Sequence, residues 1–284
     1  MNETKLIDGK SIAAQLREDL TKDVENLKAD GITPGLAVIL VGEDPASQVY
    51  VGNKIRACEK TGIKSIEHKL SADASEEEII TIIHQLNHNN DVHGILLQLP
   101  LPGSLNADRI LPHISPSKDV DGLHAMNVGK LVAEDPTGMV PCTPQGSLQL
   151  IKTVQEDLTG MHAVVIGRSL LFGKPMAQLL LAENCTVTTC HSRTKDIEKI
   201  CAQADILVAA VGRPKMVKAD WVKDDAIIID VGINRQEDGK LCGDVDFDNV
   251  IDKVRAITPV PGGVGPMTIA CLLKNTVKSA RHTG

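Results

Sequence analysis

The sequence predicts an α/β protein of two parallel-sheet units, the second a Rossmann-like dinucleotide-binding domain, with the C-terminal helix returning to the first. Three observations predict it. Short aliphatic runs alternate with helix-forming stretches along the 284 residues, as in successive βα units. The stretch Ala163-Val-Val-Ile-Gly-Arg-Ser-Leu-Leu-Phe-Gly-Lys-Pro175 joins a β-branched strand through a tight turn to the helix-favouring run Met176–Ala182. A turn-rich region from Pro112 to Gly146, with Glu134-Asp-Pro-Thr-Gly138 as the linker candidate, splits the alternation in two. The expected domains are residues 1–142 with 266–284, and residues 143–265.

Taken in order, Ser11 to Asp30 carries Ile12, Leu16, Leu20, Val24 and Leu27 on one helical stripe and is broken by Gly31. Leu36–Val41 is almost wholly apolar, as a strand covered on both faces must be. A helix is expected from Ser47 to Thr61 with Gly62 as its stop, then a strand over Lys64–Leu70. Ser75 and Glu78 form a capping box for a helix reaching about Asn87. His93–Leu99 is the next strand, closed by Pro100-Leu-Pro-Gly103. Thr143-Pro144 reads as N-cap and first helical residue of the entry into the second domain. Strands follow at 164–166, 186–189, 206–210 and 226–231, and a last helix runs from Thr268 to Ala280.

Composition narrows the function classes. The net charge of -7 argues against a general nucleic-acid binder, which would show a basic stripe. No run of about 18 apolar residues is present to span a membrane, and the start has no apolar signal-peptide core. Seven cysteines without a C-x-x-C pair read as free thiols in a reducing cytoplasm.

Several residues bear chemistry. Tyr50 and Lys54 share a helix face at a spacing of four, where Lys54 is either a solvated lysine or part of a site. Gln98 ends an apolar strand, where ligands of open α/β sheets bind; it is a satisfied core polar group or a ligand contact. Asp119 and Asp121 lie in the turn Lys118-Asp-Val-Asp-Gly122 and suit ordinary turn chemistry as well as a site. Gly167 and Gly173 fail the G-x-G-x-x-G pattern, so that turn is a variant phosphate-binding turn or an ordinary strand-to-helix connection. The glycine-rich Pro259-Val-Pro-Gly-Gly-Val-Gly-Pro-Met-Thr268 lets backbone approach a flat ligand closely. His84 and His88 have a metal-compatible spacing and read as a solvated helix face; Asp244-Val-Asp246 reads as turn and cap.

Together these segments resemble the bifunctional methylenetetrahydrofolate dehydrogenase/methenyltetrahydrofolate cyclohydrolase family. The resemblance rests on Tyr50-Val-Gly-Asn-Lys-Ile-Arg-Ala-Cys-Glu-Lys-Thr-Gly62, Gln98-Leu-Pro-Leu-Pro102, Lys118–Gly122, Gly167-Arg-Ser169 with Gly173-Lys-Pro175, and Pro261-Gly-Gly-Val-Gly-Pro-Met-Thr268. It implies oxidation of 5,10-methylenetetrahydrofolate with a nicotinamide cofactor, then hydrolysis to 10-formyltetrahydrofolate. The implied catalytic residues are Lys54, Tyr50, Gln98 and Asp121, with Lys54 as proton carrier. Leu99, Pro100, Pro261, Gly262 and Gly263 join those four in binding tetrahydrofolate one-carbon derivatives. Gly167, Arg168, Ser169, Ser192, Arg193, Val211, Gly212, Ile233 and Thr268 are the implied cofactor residues. No acidic residue follows the strand at 186–190, where NAD-specific units place one, so the expected cofactor is NADP. A cytoplasmic homodimer is implied, without metal, nucleic acid or membrane.

Overall fold

The computed structural model describes residues 5–103 and 105–282. Contacts divide the chain into two compact units: Ala14–Cys142 with residues 269–282, and residues 5–13 with Thr143–Thr268.

In chain order the elements up to the first sheet's last strand are β1 (Lys5–Leu6), α1 (Gly9–Ala29), β2 (Gly35–Val41), α2 (Pro45–Thr61), β3 (Lys64–Leu70), α3 (Glu76–His88) and β4 (Gly94–Leu97). The first unit's sheet has the order β3-β2-β4, all parallel. All seven residues of β2 are buried, and their alternation explains why. Leu36, Val38 and Leu40 face Leu20, Val24 and Leu27 of α1 and Val51 and Cys58 of α2. Ala37, Ile39 and Val41 face Ile79, Ile83 and Leu86 of α3. Successive side chains leave a strand on opposite faces, and here helices cover both.

Two short helices, α4 (Ala107–Ile110) and α5 (Ala125–Val132), lead to α6 (Cys142–Lys152). The second unit continues with β5 (His162–Ile166), α7 (Gly173–Ala182), β6 (Thr186–Cys190), α8 (Ile197–Cys201), β7 (Ile206–Ala209) and β8 (Ile227–Asp230). A hairpin, β9 (Asn234–Arg235) with β10 (Leu241–Cys242), precedes α9 (Phe247–Val250), β11 (Ala256–Ile257) and α10 (Val264–Arg281). The six-stranded sheet runs β1-β11-β8-β7-β5-β6, with every pairing parallel. The order reverses at β5, which has β6 on one side and β7 on the other. A crevice at the carboxyl ends of these strands is where such sheets bind ligands.

From Ile269 onward α10 belongs to the first unit, where Cys271, Leu272, Leu273, Val277 and Ala280 pack into the α1–α2 core. The C-terminal helix therefore returns to the first unit.

The sequence expectations need correction at several boundaries. Residues 5–13 belong to the second unit, because β1 extends its sheet through Lys5↔Ala256 and Leu6↔Ile257; residues 1–4 lie outside those described. Two strands cannot announce such a pairing across the whole chain by periodicity. The second boundary falls after Thr268 instead of residue 265. The α2 helix starts at Pro45, and Asp44 instead of Ser47 is its cap, accepting from the Ser47 N–H at 2.8 Å. The helices α6 and α10 start at Cys142 and Val264, each with proline third in the helix. A first-turn residue has no intrahelical partner for its N–H, so proline costs no bond there.

Lys118 is a structural lysine. It is 7% exposed, and its Nζ donates to the carbonyls of Leu86, Asn87 and Asn89 at 3.1, 2.8 and 2.8 Å, closing the C-terminal end of α3. Lys118→Met removes a charge-assisted donor from three carbonyls, and the expected loss is about 2–3 kcal/mol. Urea unfolding should show a lower midpoint with an unchanged slope.

Candidate functional site

The first unit concentrates its titratable chemistry beside Lys54. The α2 helix puts Tyr50 and Lys54 on one face, and the Lys54 ammonium lies 4.5 Å from the centre of the Tyr50 ring. Lys54 is only 5% exposed, and its Nζ donates to Gln98 Oε1 at 3.0 Å. Gln98 follows β4 at its carboxyl end and is itself buried; its Nε2 donates to the Leu99 carbonyl at 2.6 Å. That second bond fixes the amide so that its oxygen points at the amine. The Leu99–Pro100 peptide is cis. Burial holds the Lys54 amine below the ordinary lysine range, against the opposing pull of Asp121 and the thiols of Cys142 and Cys58. Burial likewise raises the half-buried Asp121 carboxyl, with Lys54 pulling the other way. Both groups are thus moved toward their neutral forms.

The turn that carries Asp121 is held from three sides. Asp119 is 2% exposed and accepts from the N–H groups of Leu123 and His124 and from Asn127 Nδ2, at 3.2, 2.8 and 2.8 Å. Asn275 of α10 donates through Nδ2 to the carbonyls of Val120 and Val140 at 2.8 and 2.9 Å. The Cys142 thiol lies against the Val120 carbonyl at 3.2 Å and against the Asp121 carboxyl, and burial among these groups pushes it well above the usual thiol range. Of the two aspartates in the turn, Asp119 is therefore consumed by structure, and Asp121 is the one electrostatically joined to Lys54.

In the second unit a cleft of about 440 Å³ lies at the carboxyl ends of β5, β6 and β7. Gly167, Arg168, Ser192 and Val211 line it, as do Arg213, His191 and Thr194, which the sequence reading did not single out. Among the described residues, no acidic side chain lines it. Gly167 has φ +128°, and a Cβ there would meet the Ala210 carbonyl oxygen at 2.5 Å. A Cβ on Gly173 would collide with the Gly167 carbonyl, so the turn requires both glycines. Ser169 does not line the cleft. Its Oγ accepts from the N–H groups of Phe172 and Gly173 at 3.2 and 3.5 Å, and its carbonyl accepts from Lys174 at 3.0 Å. These amides at the start of α7 are engaged inside the turn, so positive charge in the cleft comes chiefly from Arg168 and Arg213.

The remaining expected site residues are spread more widely. Arg193, Gly212 and Ile233 are exposed and are not among the residues lining that cleft; the Arg193 N–H donates to His191 Nδ1 at 3.2 Å. Pro261, Gly262 and Gly263 form a turn beside the start of α1, where the Gly262 carbonyl accepts from the Lys10 N–H at 3.0 Å. Thr268 is half-buried and donates to Thr143 Oγ1 at 3.1 Å. His84 faces His113, with Nε2 and Nδ1 3.1 Å apart, a pairing that the spacing to His88 could not reveal. Arg213 and His191 each sit just past a strand's carboxyl end, and that position is the signal by which the sequence could have flagged them.

Two family models match this chain. The tetrahydrofolate dehydrogenase/cyclohydrolase catalytic domain matches residues 7–121, and the NAD(P)-binding domain of the same family matches residues 141–284. The bifunctional protein FolD of Magnetococcus marinus is 58% identical over 98% of this chain and 97% of its own length. The crystal structure of the bifunctional FolD from Campylobacter jejuni superposes with a TM-score of 0.96 at 50% identity, covering 98% and 99% of the two chains. The Trypanosoma brucei dehydrogenase-cyclohydrolase, solved with NADP and an inhibitor, superposes with a TM-score of 0.94 at 37% identity over 99% of both chains. With both halves matched in order and whole-length relatives this similar, the chain belongs to the tetrahydrofolate dehydrogenase/cyclohydrolase family.

Proposed function

We infer that this chain is a bifunctional folate enzyme. It oxidises 5,10-methylenetetrahydrofolate to the 5,10-methenyl form with NADP, then hydrolyses that product to 10-formyltetrahydrofolate. The observation that carries the reading is a buried lysine amine held by a neutral amide oxygen beside a half-buried carboxyl.

Hydrolysis adds water to the cationic methenyl carbon and then opens a ring, so protons must leave the water and reach the departing ring nitrogen. Lys54 suits that traffic because desolvation lowers the cost of its neutral form. Gln98 holds the amine without adding negative charge that would lock it as ammonium. Asp121, as a hydrogen-bond acceptor, suits the donor-rich edge of the pterin, and the Tyr50 ring provides a stacking face. Leu99, Pro100, Pro261, Gly262 and Gly263 complete the folate-binding set in this reading.

NADP, when bound, supplies the hydride acceptor. The cleft of the second unit fits its extra phosphate: Arg168 and Arg213 bring two guanidinium groups, His191, Ser192 and Thr194 add polar side chains, and among the described residues no carboxylate stands there to repel the phosphate. Gly167, Val211 and Gly212 would let backbone approach the nucleotide, with Ser169, Arg193, Ile233 and Thr268 as further cofactor residues. Family resemblance supports a cytoplasmic homodimer, and proton transfer of this kind calls for no metal.

Three substitutions test the reading. Lys54→Met should lower methenyltetrahydrofolate hydrolysis by about 10²–10⁴, the usual worth of a positioned proton carrier, and lower NADP reduction less. Near-parental hydrolysis after subtraction of the spontaneous rate would remove Lys54 from that role. Gln98→Glu places a carboxylate beside the amine, favours the ammonium and raises its pKa. The acid limb of the cyclohydrolase pH profile should then move upward by about 1–3 units, with activity lost near neutral pH and regained at higher pH. Arg168→Ala should weaken NADP binding by about tenfold to a hundredfold, through loss of a hydrogen bond to a charged group, and affect NAD much less. Equal losses for both cofactors would assign Arg168 to a part that they share.

A further inference from the structure

The cofactor cleft has a wall whose shape is set from within the protein. Val211, Gly212 and Arg213 follow β7, and Val211 and Arg213 line the cleft. Their three consecutive N–H groups all converge on one carboxylate, which is not among the residues lining the cleft. Asp244 Oδ2 accepts from Val211 and Gly212 at 2.6 and 3.0 Å, and Oδ1 accepts from Arg213 at 2.8 Å. Asn234 Nδ2 adds a fourth bond to Oδ1 at 2.9 Å. Gly212 has φ +64°, the left-handed conformation that lets successive amides converge. Converging amides of this kind form a concavity that binds anions. Here the anion is the chain's own side chain, and Asp244 is fully buried.

A second buried carboxylate supports the first. Asp230, 3% exposed at the end of β8, accepts from the N–H groups of Gly232, Asp244 and Val245 at 3.0, 2.9 and 2.8 Å. Glycine makes this stacking possible: a Cβ on Gly232 would collide with the Asp244 carboxylate, and one on Gly243 with that of Asp230. The sequence reads Asp244-Val-Asp246 as turn and cap before α9. Asp246 is the N-cap residue of α9, and its carboxylate accepts from Asn249 Nδ2 and Lys218 Nζ, whereas Asp244 is taken up by the turn at Val211–Arg213.

We propose that Asp244, seated by Asp230, is a positioning residue for the cofactor: it fills the anion-binding turn at Val211–Arg213, fixes that wall of the cleft and aims Arg213 into it. Removing its charge leaves three amides converging on a group that cannot accept from all of them, and the wall relaxes. The cofactor then has to order the wall as it binds, so the cost falls on affinity and not on the chemical step.

The inference rests on the NADP-dependent activity proposed above, and three measurements on the full-length protein separate the two. Asp244→Asn should raise the KM for NADP at least about tenfold while kcat at saturating NADP stays within about threefold, the pattern of a lost binding contribution. Hydrolysis of supplied methenyltetrahydrofolate without NADP should be unchanged, which a general folding defect would not allow. Calorimetric titration with NADP should show the same loss of affinity without reference to catalysis. Asp230→Asn, which leaves the Asp244 carboxylate in place, should shift the KM for NADP in the same direction by a few-fold, and it decides the matter if Asp244→Asn does not fold. An NADP affinity within twofold of the parent in both variants overturns the proposal, as does a fall in kcat with KM unchanged. A parent that binds NADP without oxidising methylenetetrahydrofolate overturns the functional reading instead, and the titrations still decide this one.

Discussion

The Lys54 amine, 3.0 Å from the Gln98 amide oxygen and buried so that the lysine is 5% exposed, is the contact on which the first unit's candidate site depends. Burying an ammonium is costly, and the cost is reduced by a dipole, a π face and a carboxyl at greater remove. Each partner stabilises the charge partially. A carboxylate in place of Gln98 would favour the ammonium, while an apolar residue would leave a buried donor unmatched. The glutamine occupies the middle ground, and its own Nε2 bond to the Leu99 carbonyl keeps the oxygen aimed.

That balance also requires Asp121 to stay where it is, and the constraint reaches across the chain. Asn275, 155 residues from Val120, donates to the Val120 carbonyl within the turn and to the Val140 carbonyl, and Ser279 Oγ donates to the Ser117 carbonyl at 2.8 Å. The apolar stripe of α10 brings these polar groups to the turn as it enters the α1–α2 core. Hydrophobic burial thereby supplies the force, and two polar side chains on the same helix supply the register.

The second unit solves a related problem with the opposite charge. Its turn after β5 engages the first amides of α7 internally through Ser169, and its turn after β7 is closed by Asp244. Two places where an anion could have been received by backbone alone are filled by the chain. Arg168 and Arg213 are then the basic side chains that line the cleft. A guanidinium reads a phosphate's shape as well as its charge, which a backbone cradle does less selectively.

What the sequence by itself determined is whatever follows from local periodicity and local chemistry. The apolar run Leu36–Val41 signalled a strand covered on both faces, the spacing of Tyr50 and Lys54 placed them on one side of α2, and Gly167 marked the tight turn that ends β5. The choice between alternatives was decided by tertiary structure. From spacing, Lys118, Asp119 and Asp121 are equal members of one turn; only folding showed that Lys118 closes α3, Asp119 ties its own loop and Asp121 faces Lys54. The pairing of β1 with β11, the reach of Asn275 and the capture of the Val211–Arg213 amides by Asp244 were equally hidden. The reason is physical: periodicity reports which face of an element is buried, whereas these contacts, the local ties of Asp119 aside, join residues about 30 to 250 positions apart, whose meeting depends on how whole elements pack.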